Sequence, residues 1–219
     1  MASTRWHIGP GGGLAVGAIL GVAFALAVWR LTPLGPGASP ASPGASTPAA
    51  APAYTTEATP LTAFPGGNPL ATLTAATQLQ VLGSQGTSVQ VELDLYRSPD
   101  SPTIAYQDPA KLSRAGVLTS PDAAQQTGTA TIAGSSWQRV RLVGWVSRAA
   151  TSEDLNALWS QASSLYGQSC GTCHTAHDPG EFTGRQWVSQ FRAMVPRTSL
   201  TPGQADLILK WLQAHAASQ

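Results

Sequence analysis

Cysteine is nearly absent from this sequence: Cys170 and Cys173 are the only two, and both fall within one five-residue stretch. That excludes a disulfide-stapled scaffold. With no cysteine directly after the apolar N-terminal run, it also excludes a lipoprotein. Charge is scarce, at 11% of residues against about 25% in an ordinary soluble protein. Lys111 and Lys210 are the only lysines, so there is no lysine ring to steer an acidic partner. The formal net charge is +1, and no basic stripe marks a nucleic-acid partner. Methionine occurs only as Met1 and Met194.

What is present divides the chain into four stretches. Residues 8–29 carry no charge, with Arg5 and Trp6 before them and Trp29 and Arg30 at the far edge. About 20 apolar residues span a bilayer core, and Trp and Arg commonly mark its interfaces. Residues 1–30 are therefore expected to form a single-pass transmembrane anchor with a cytoplasmic N-terminus. A cleaved signal peptide ending at Ala25-Leu26-Ala27 is the rival reading. Residues 31–65 are rich in Pro, Ala, Ser and Thr, with Glu57 as the only charge. That composition predicts a disordered, extended linker.

Residues 66–150 read as strands. Val89, Val91, Leu93 and Leu95 alternate with Gln90, Glu92 and Asp94, and Val140 and Leu142 alternate with Arg139 and Arg141. This is the period-two signature of half-buried strands. The two stretches superpose as a weak repeat, and a small twisted β-barrel is expected. Trp137 and Trp145 are read as core, with a peptide-binding groove as the alternative.

The period then changes to three and four. Leu155, Leu158, Trp159, Ala162, Leu165 and Tyr166 predict a helix running into Cys170. Residues 183–195 predict a second helix with Trp187, Val188, Phe191 and Met194 on its apolar side, stopped by Pro196. Thr201-Pro202-Gly203-Gln204 reads as the capped start of a third.

Cys170-Gly171-Thr172-Cys173-His174 is the attachment signature of c-type haem. The spacing brings two thiols to one edge of the porphyrin, where they bond its vinyl groups, and directs the imidazole of His174 to the iron as proximal ligand. A structural zinc site wants four ligands, usually from two separated pairs, and Cys170, Cys173, His174 and His177 are crowded for that. A thioredoxin-like dithiol and a local disulfide are the remaining alternatives. For the distal iron position the candidate is Met194, because a His/Met pair is common in electron carriers. His177, His215 and an open site are the alternatives. Trp187 and Phe191 are candidates for packing on the haem, and Arg185 and Arg192 for pairing with its propionates. One haem c per chain is expected, on the periplasmic side of the inner membrane.

The stretch from about residue 73 to 216 resembles the C-terminal part of the pentahaem c-type cytochromes. The resemblance is carried by Trp137-Gln138-Arg139-Val140-Arg141-Leu142, Gly144-Trp145-Val146, Leu158-Trp159, the haem motif, Gln186-Trp187, Met194, Thr198-Ser199-Leu200-Thr201 and Leu209-Lys210-Trp211-Leu212-Gln213-Ala214-His215-Ala216. Ser88 and Leu95-Tyr96 depart from the family pattern, which usually has Trp and Gly-Trp there. Those membrane-anchored proteins pass quinol-derived electrons to periplasmic trimethylamine N-oxide or dimethyl sulfoxide reductases. This sequence holds one haem motif, so the quinol-oxidising tetrahaem module is not implied.

Together with the anchor and linker read above, the resemblance implies an α+β, multi-part architecture: transmembrane helix, linker, small Src-homology-3-like barrel over residues 66–150, and a C-terminal all-α monohaem domain over residues 151–219. It also implies a non-enzymatic electron carrier. Its donor is a membrane redox complex, and its acceptor is a periplasmic molybdenum reductase or another cytochrome. The alternatives are a fixed haem subunit of a larger respiratory or photosynthetic complex, a haem-based redox or gas sensor, and an envelope interaction module.

Overall fold

The computed structural model describes residues 52–218, all within one compact unit spanning Ser46–Gln219. Ten strands form one antiparallel sheet: β1 Ala53–Thr55, β2 Thr59–Thr62, β3 Pro69–Leu73, β4 Gln78–Gln85, β5 Ser88–Ser98, β6 Ser101–Asp108, β7 Ser113–Leu118, β8 Gln125–Ile132, β9 Ser135–Ser147 and β10 Thr151–Ser152. Three helices follow: α1 Leu155–Cys170, α2 Gly184–Met194 and α3 Pro202–Ala214.

The strand order is β10-β1-β4-β5-β6-β7-β3-β2-β9-β8, and β5 also pairs with β9. These two long strands are the spine, because their alternating residues lie opposite each other: Leu93 faces Leu142 and Leu95 faces Val140. All four are buried, together with Val89, Val91 and Val146. The β8–β9 hairpin turns on Ala133 and Gly134, both with positive φ, as a two-residue turn that follows strand twist requires. Trp137 is buried and meets Tyr106 edge-on at 5.4 Å, so it is core and forms no groove. At Gly116 a Cβ would overlap the Thr72 carbonyl oxygen and sit 3.0 Å from the Leu73 Cα, both backbone atoms of β3. Gly116→Ala is therefore expected to cost about 1–3 kcal/mol, read as a lower denaturation midpoint with an unchanged slope.

The expected architecture needs correction in three respects. First, the helices do not make a separate all-α domain. They pack onto the sheet, with Leu158, Ala162 and Leu207 buried against Ala75 and Ala76 of the β3–β4 turn. Second, the sheet is larger than the small barrel expected over residues 66–150. It begins with β1 and β2, inside the segment expected as disordered linker, and β10 pairs with β1. Threonine supplies the missing order there: Thr55 and Thr59 are buried, and the Thr55 hydroxyl donates to the Thr74 carbonyl at 2.6 Å. Third, among the described residues no helix is long and apolar enough to cross a membrane. The single-pass inner-membrane placement is thereby left without a span, and residues 8–29, where it was expected, lie outside the described residues.

Polar contacts fix the helices to the sheet. Arg114 of β7 pairs with Asp206 of α3 at 2.9 Å, and the Lys210 ammonium donates to the Thr77 hydroxyl at 2.5 Å. The Gln213 amide donates to the Lys111 carbonyl at 2.7 Å.

Candidate haem site

The cysteine motif is placed by the end of α1. Asp154 caps the helix start by accepting from the Ala157 N–H at 3.0 Å. Leu158, Ala162 and Tyr166 form its buried face. That face delivers Cys170, the last helical residue, to the edge of an apolar cluster built from Tyr166, Trp187, Phe191, Ile208 and Leu212. Cys170 is half-buried and Cys173 is exposed, and both are free thiols. Burial pushes the Cys170 pKa up, which holds it as the protonated, less nucleophilic thiol.

His174 follows on the exposed turn. Its Nδ1 lies 2.8 Å from the Thr175 carbonyl oxygen. A carbonyl only accepts, so that contact puts the proton on Nδ1 and leaves the Nε2 lone pair free to bind a metal. Of the other two histidines in this part of the chain, only His177 is held differently. His177 Nδ1 meets Glu181 Oε2 at 2.9 Å, and His215 Nδ1 meets the Trp211 carbonyl at 2.8 Å. Among the described residues no three His, Cys, Asp or Glu side chains gather as a metal shell. The zinc reading of Cys170, Cys173, His174 and His177 thus has no supporting geometry.

Helix α2 starts at a reciprocal cap: the Thr183 hydroxyl accepts from Gln186 N–H, and the Gln186 side chain accepts from Thr183 N–H. Satisfying both end donors sets the phase of the helix, turning Trp187 and Phe191 fully inward. The Trp187 indole N–H donates to the Pro179 carbonyl at 2.8 Å. Met194 is the last residue of α2 and is half-buried, and Val195 beside it packs on the same apolar cluster as Cys170. The arginines part company. Arg185 donates to the Pro109 carbonyl at 3.3 Å, holding α2 to the β6–β7 connection, whereas Arg192 is exposed and lines a cavity between α2, α3 and the sheet.

The donor set suits a haem: two free thiols, a histidine whose Nδ1 is taken by a carbonyl, one thioether, and an apolar aromatic cluster beside Cys170. What sequence reasoning missed is Lys210, buried at the sheet–helix junction. Its signal was a lone lysine three residues after Leu207 and two before Leu212, on a helix otherwise rich in buried apolar residues.

Residues 48–151 match the model of a family described as the TorC third cytochrome c domain. That match covers the sheet and stops before the cysteine motif. Among curated proteins, the cytochrome c-type protein TorC of Escherichia coli strain K12 is 26% identical over 151 residues. The same-named protein of Escherichia coli O157:H7 is equally similar. Each alignment covers 66% of this chain and 38% of the relative, so the chain spans well under half of those proteins. No solved structure matches.

Proposed function

We propose that this chain, whose C-terminal region is TorC-like, is a monohaem c-type cytochrome that passes single electrons between redox proteins. The observation that carries the reading is the end of α1. There Cys170 and Cys173 stand as free thiols beside a histidine with its Nε2 available, against a wall of buried aromatic residues.

When bound, the haem supplies a one-electron iron couple. Everything else falls to the chain. Cys170 and Cys173 would hold the haem through thioether bonds, formed by addition of each thiol to a vinyl group with no oxidant needed. His174, its Nδ1 turned to the Thr175 carbonyl, would ligate the iron through Nε2. Trp187, Phe191, Ile208 and Leu212 exclude water from the inner edge, and the resulting low polarity favours the less charged redox state. Met194, at the end of α2, would offer a neutral sulfur as the second iron ligand, raising the potential relative to a second imidazole. Arg192 is free to pair with a propionate, whereas Arg185 is engaged by Pro109. The acceptor we favour is a trimethylamine N-oxide or dimethyl sulfoxide reductase, with another redox protein as donor. In this reading the chain transfers electrons and catalyses no reaction of its own.

Met194 provides the test. The oxidised protein should be low-spin, with a weak sulfur-to-iron charge-transfer band at the red end of the spectrum, and the reduced protein should take up little carbon monoxide. Met194→Ala should abolish that band, admit carbon monoxide and lower the potential by part of the roughly 0.8 V that axial ligands command, without releasing the haem. Rapid carbon monoxide binding by the wild type, unchanged in Met194→Ala, would make Met194 core packing and turn the reading to a haem-based sensor.

A further inference from the structure

Between α2, α3 and the β6–β7 side of the sheet lies a cavity of about 360 Å³. That is within the range of small-molecule sites, about 300–1,000 Å³. Neither cysteine nor His174 lines it, and it meets the candidate haem site only through Phe191 and Arg192. Its apolar wall is formed by Ile104, Leu112, Val188, Phe191, Val195 and Leu209. Its charged groups are Arg114, Arg192 and Lys210, against the single carboxylate of Asp206.

Lys210 is the unusual member. It is 6% exposed, and its ammonium has one partner, the Thr77 hydroxyl. That hydroxyl already donates toward the Thr74 and Ala115 carbonyls, at 2.8 and 3.0 Å. An ammonium carries three donors, so two are unspent, and among the described residues no carboxylate reaches Lys210 as an ion pair. Arg114 gives one nitrogen to both oxygens of Asp206, at 2.9 and 3.2 Å. Arg192 is exposed at the rim. A buried amine with donors to spare, beside a partly buried and an exposed guanidinium and facing apolar walls, calls for a ligand of opposite charge with an apolar body.

We propose that this cavity is a binding site for a small organic anion, its carboxylate taken by Lys210 and Arg114 and its apolar body lying against Phe191, Val195 and Leu209. Burial lowers the Lys210 pKa to about 7, with Asp206 opposing and Arg114 adding to the shift. Tyr106 and Arg192 face it across this cavity, and Tyr54, Asp108 and Lys111 across the neighbouring cleft. A carboxylate arriving beside the amine favours its charged form, so at pH 8 binding should draw a proton from solution.

The probe is 2-naphthoate, with 2-naphthamide as its uncharged counterpart, titrated calorimetrically into the full-length protein at pH 8 in buffers of differing ionisation enthalpy. The naphthoate should bind about tenfold or more tighter than the amide, as a charged hydrogen bond implies, with net proton uptake. Lys210→Met should remove both the preference and the uptake. Val188→Phe, which narrows the cavity without touching the lysine, should weaken both ligands while circular dichroism stays unchanged. Equal affinity for acid and amide, naphthoate binding that persists through both substitutions, or no binding by either compound would overturn the proposal.

Discussion

Replacing Cys170 and Cys173 together with alanine is expected to abolish covalent haem completely. Denatured wild-type protein should keep its pigment through acid-acetone extraction, whereas the double variant should give a colourless chain. The expectation is all-or-none because no other cysteine exists to substitute for either thiol. His174 survives in the variant but stands on an exposed turn. A single imidazole on an open loop cannot hold a haem once the polypeptide unfolds. The single variants should each retain pigment through one thioether, with Cys170→Ala the more damaging, since only that thiol packs against the aromatic cluster. A wild-type chain that surrendered its pigment, or took up zinc stoichiometrically, would remove the basis of the cytochrome reading.

The second large effect is on stability. In the folded protein Lys210 gives up its proton at about pH 7, far below the ordinary lysine value of 10.5. The unfolded chain therefore holds more protons between those limits. Stability must rise with pH across that window, by no more than about 1.4 kcal/mol per pH unit. The penalty is complete below about pH 7 and is relieved as pH approaches 10. Asp206 on the same helix moderates it, and Arg114 from the sheet worsens it. Tyr166 works the other way: its pKa is raised to about 12, first by burial, so it withdraws stability only above pH 10. Lys210→Met keeps the side-chain length, removes the charge and leaves Thr77 bonded to its two carbonyls. The variant should be more stable than wild type near neutrality by about 1–4 kcal/mol, as replacement of buried charge by apolar groups often is. Its denaturation midpoint should stay flat from pH 7 to 10. A wild-type midpoint that is itself flat would place Lys210 in contact with water.

These effects trace to features of unequal visibility in the sequence. Thr183 with Gln186, and Thr201 with Pro202 and Gln204, announce the starts of α2 and α3 because a helix cap is a local transaction, settled within four residues. The alternation in β5 and β9 is equally plain, since each strand buries one face. β1 and β2 were hidden for the opposite reason. Tyr54 pairs with Ser152 and Thr62 with Trp145, partners more than eighty residues away, and the Pro/Ala/Thr composition around them looks like linker when read alone. The cysteine motif was fully legible. The inward turn of Trp187 and Phe191 was legible as an apolar face, but burial in a cluster joining three helices was not. That required knowing that α1, α2 and α3 meet on one another and on the sheet.

The joint between sheet and helices also limits how such a protein can be rearranged over evolutionary time. Only Glu153 and Asp154 separate β10 from α1, and β10 is itself stitched to β1, the first strand in the chain, at one edge of the sheet. A recombination event at this junction would strip α1 and α3 of the surface that covers Leu158, Ala162 and Leu207, while leaving β1 without its neighbour. Sheet and helices are therefore bound to one another across this short joint and would have to move through evolution together.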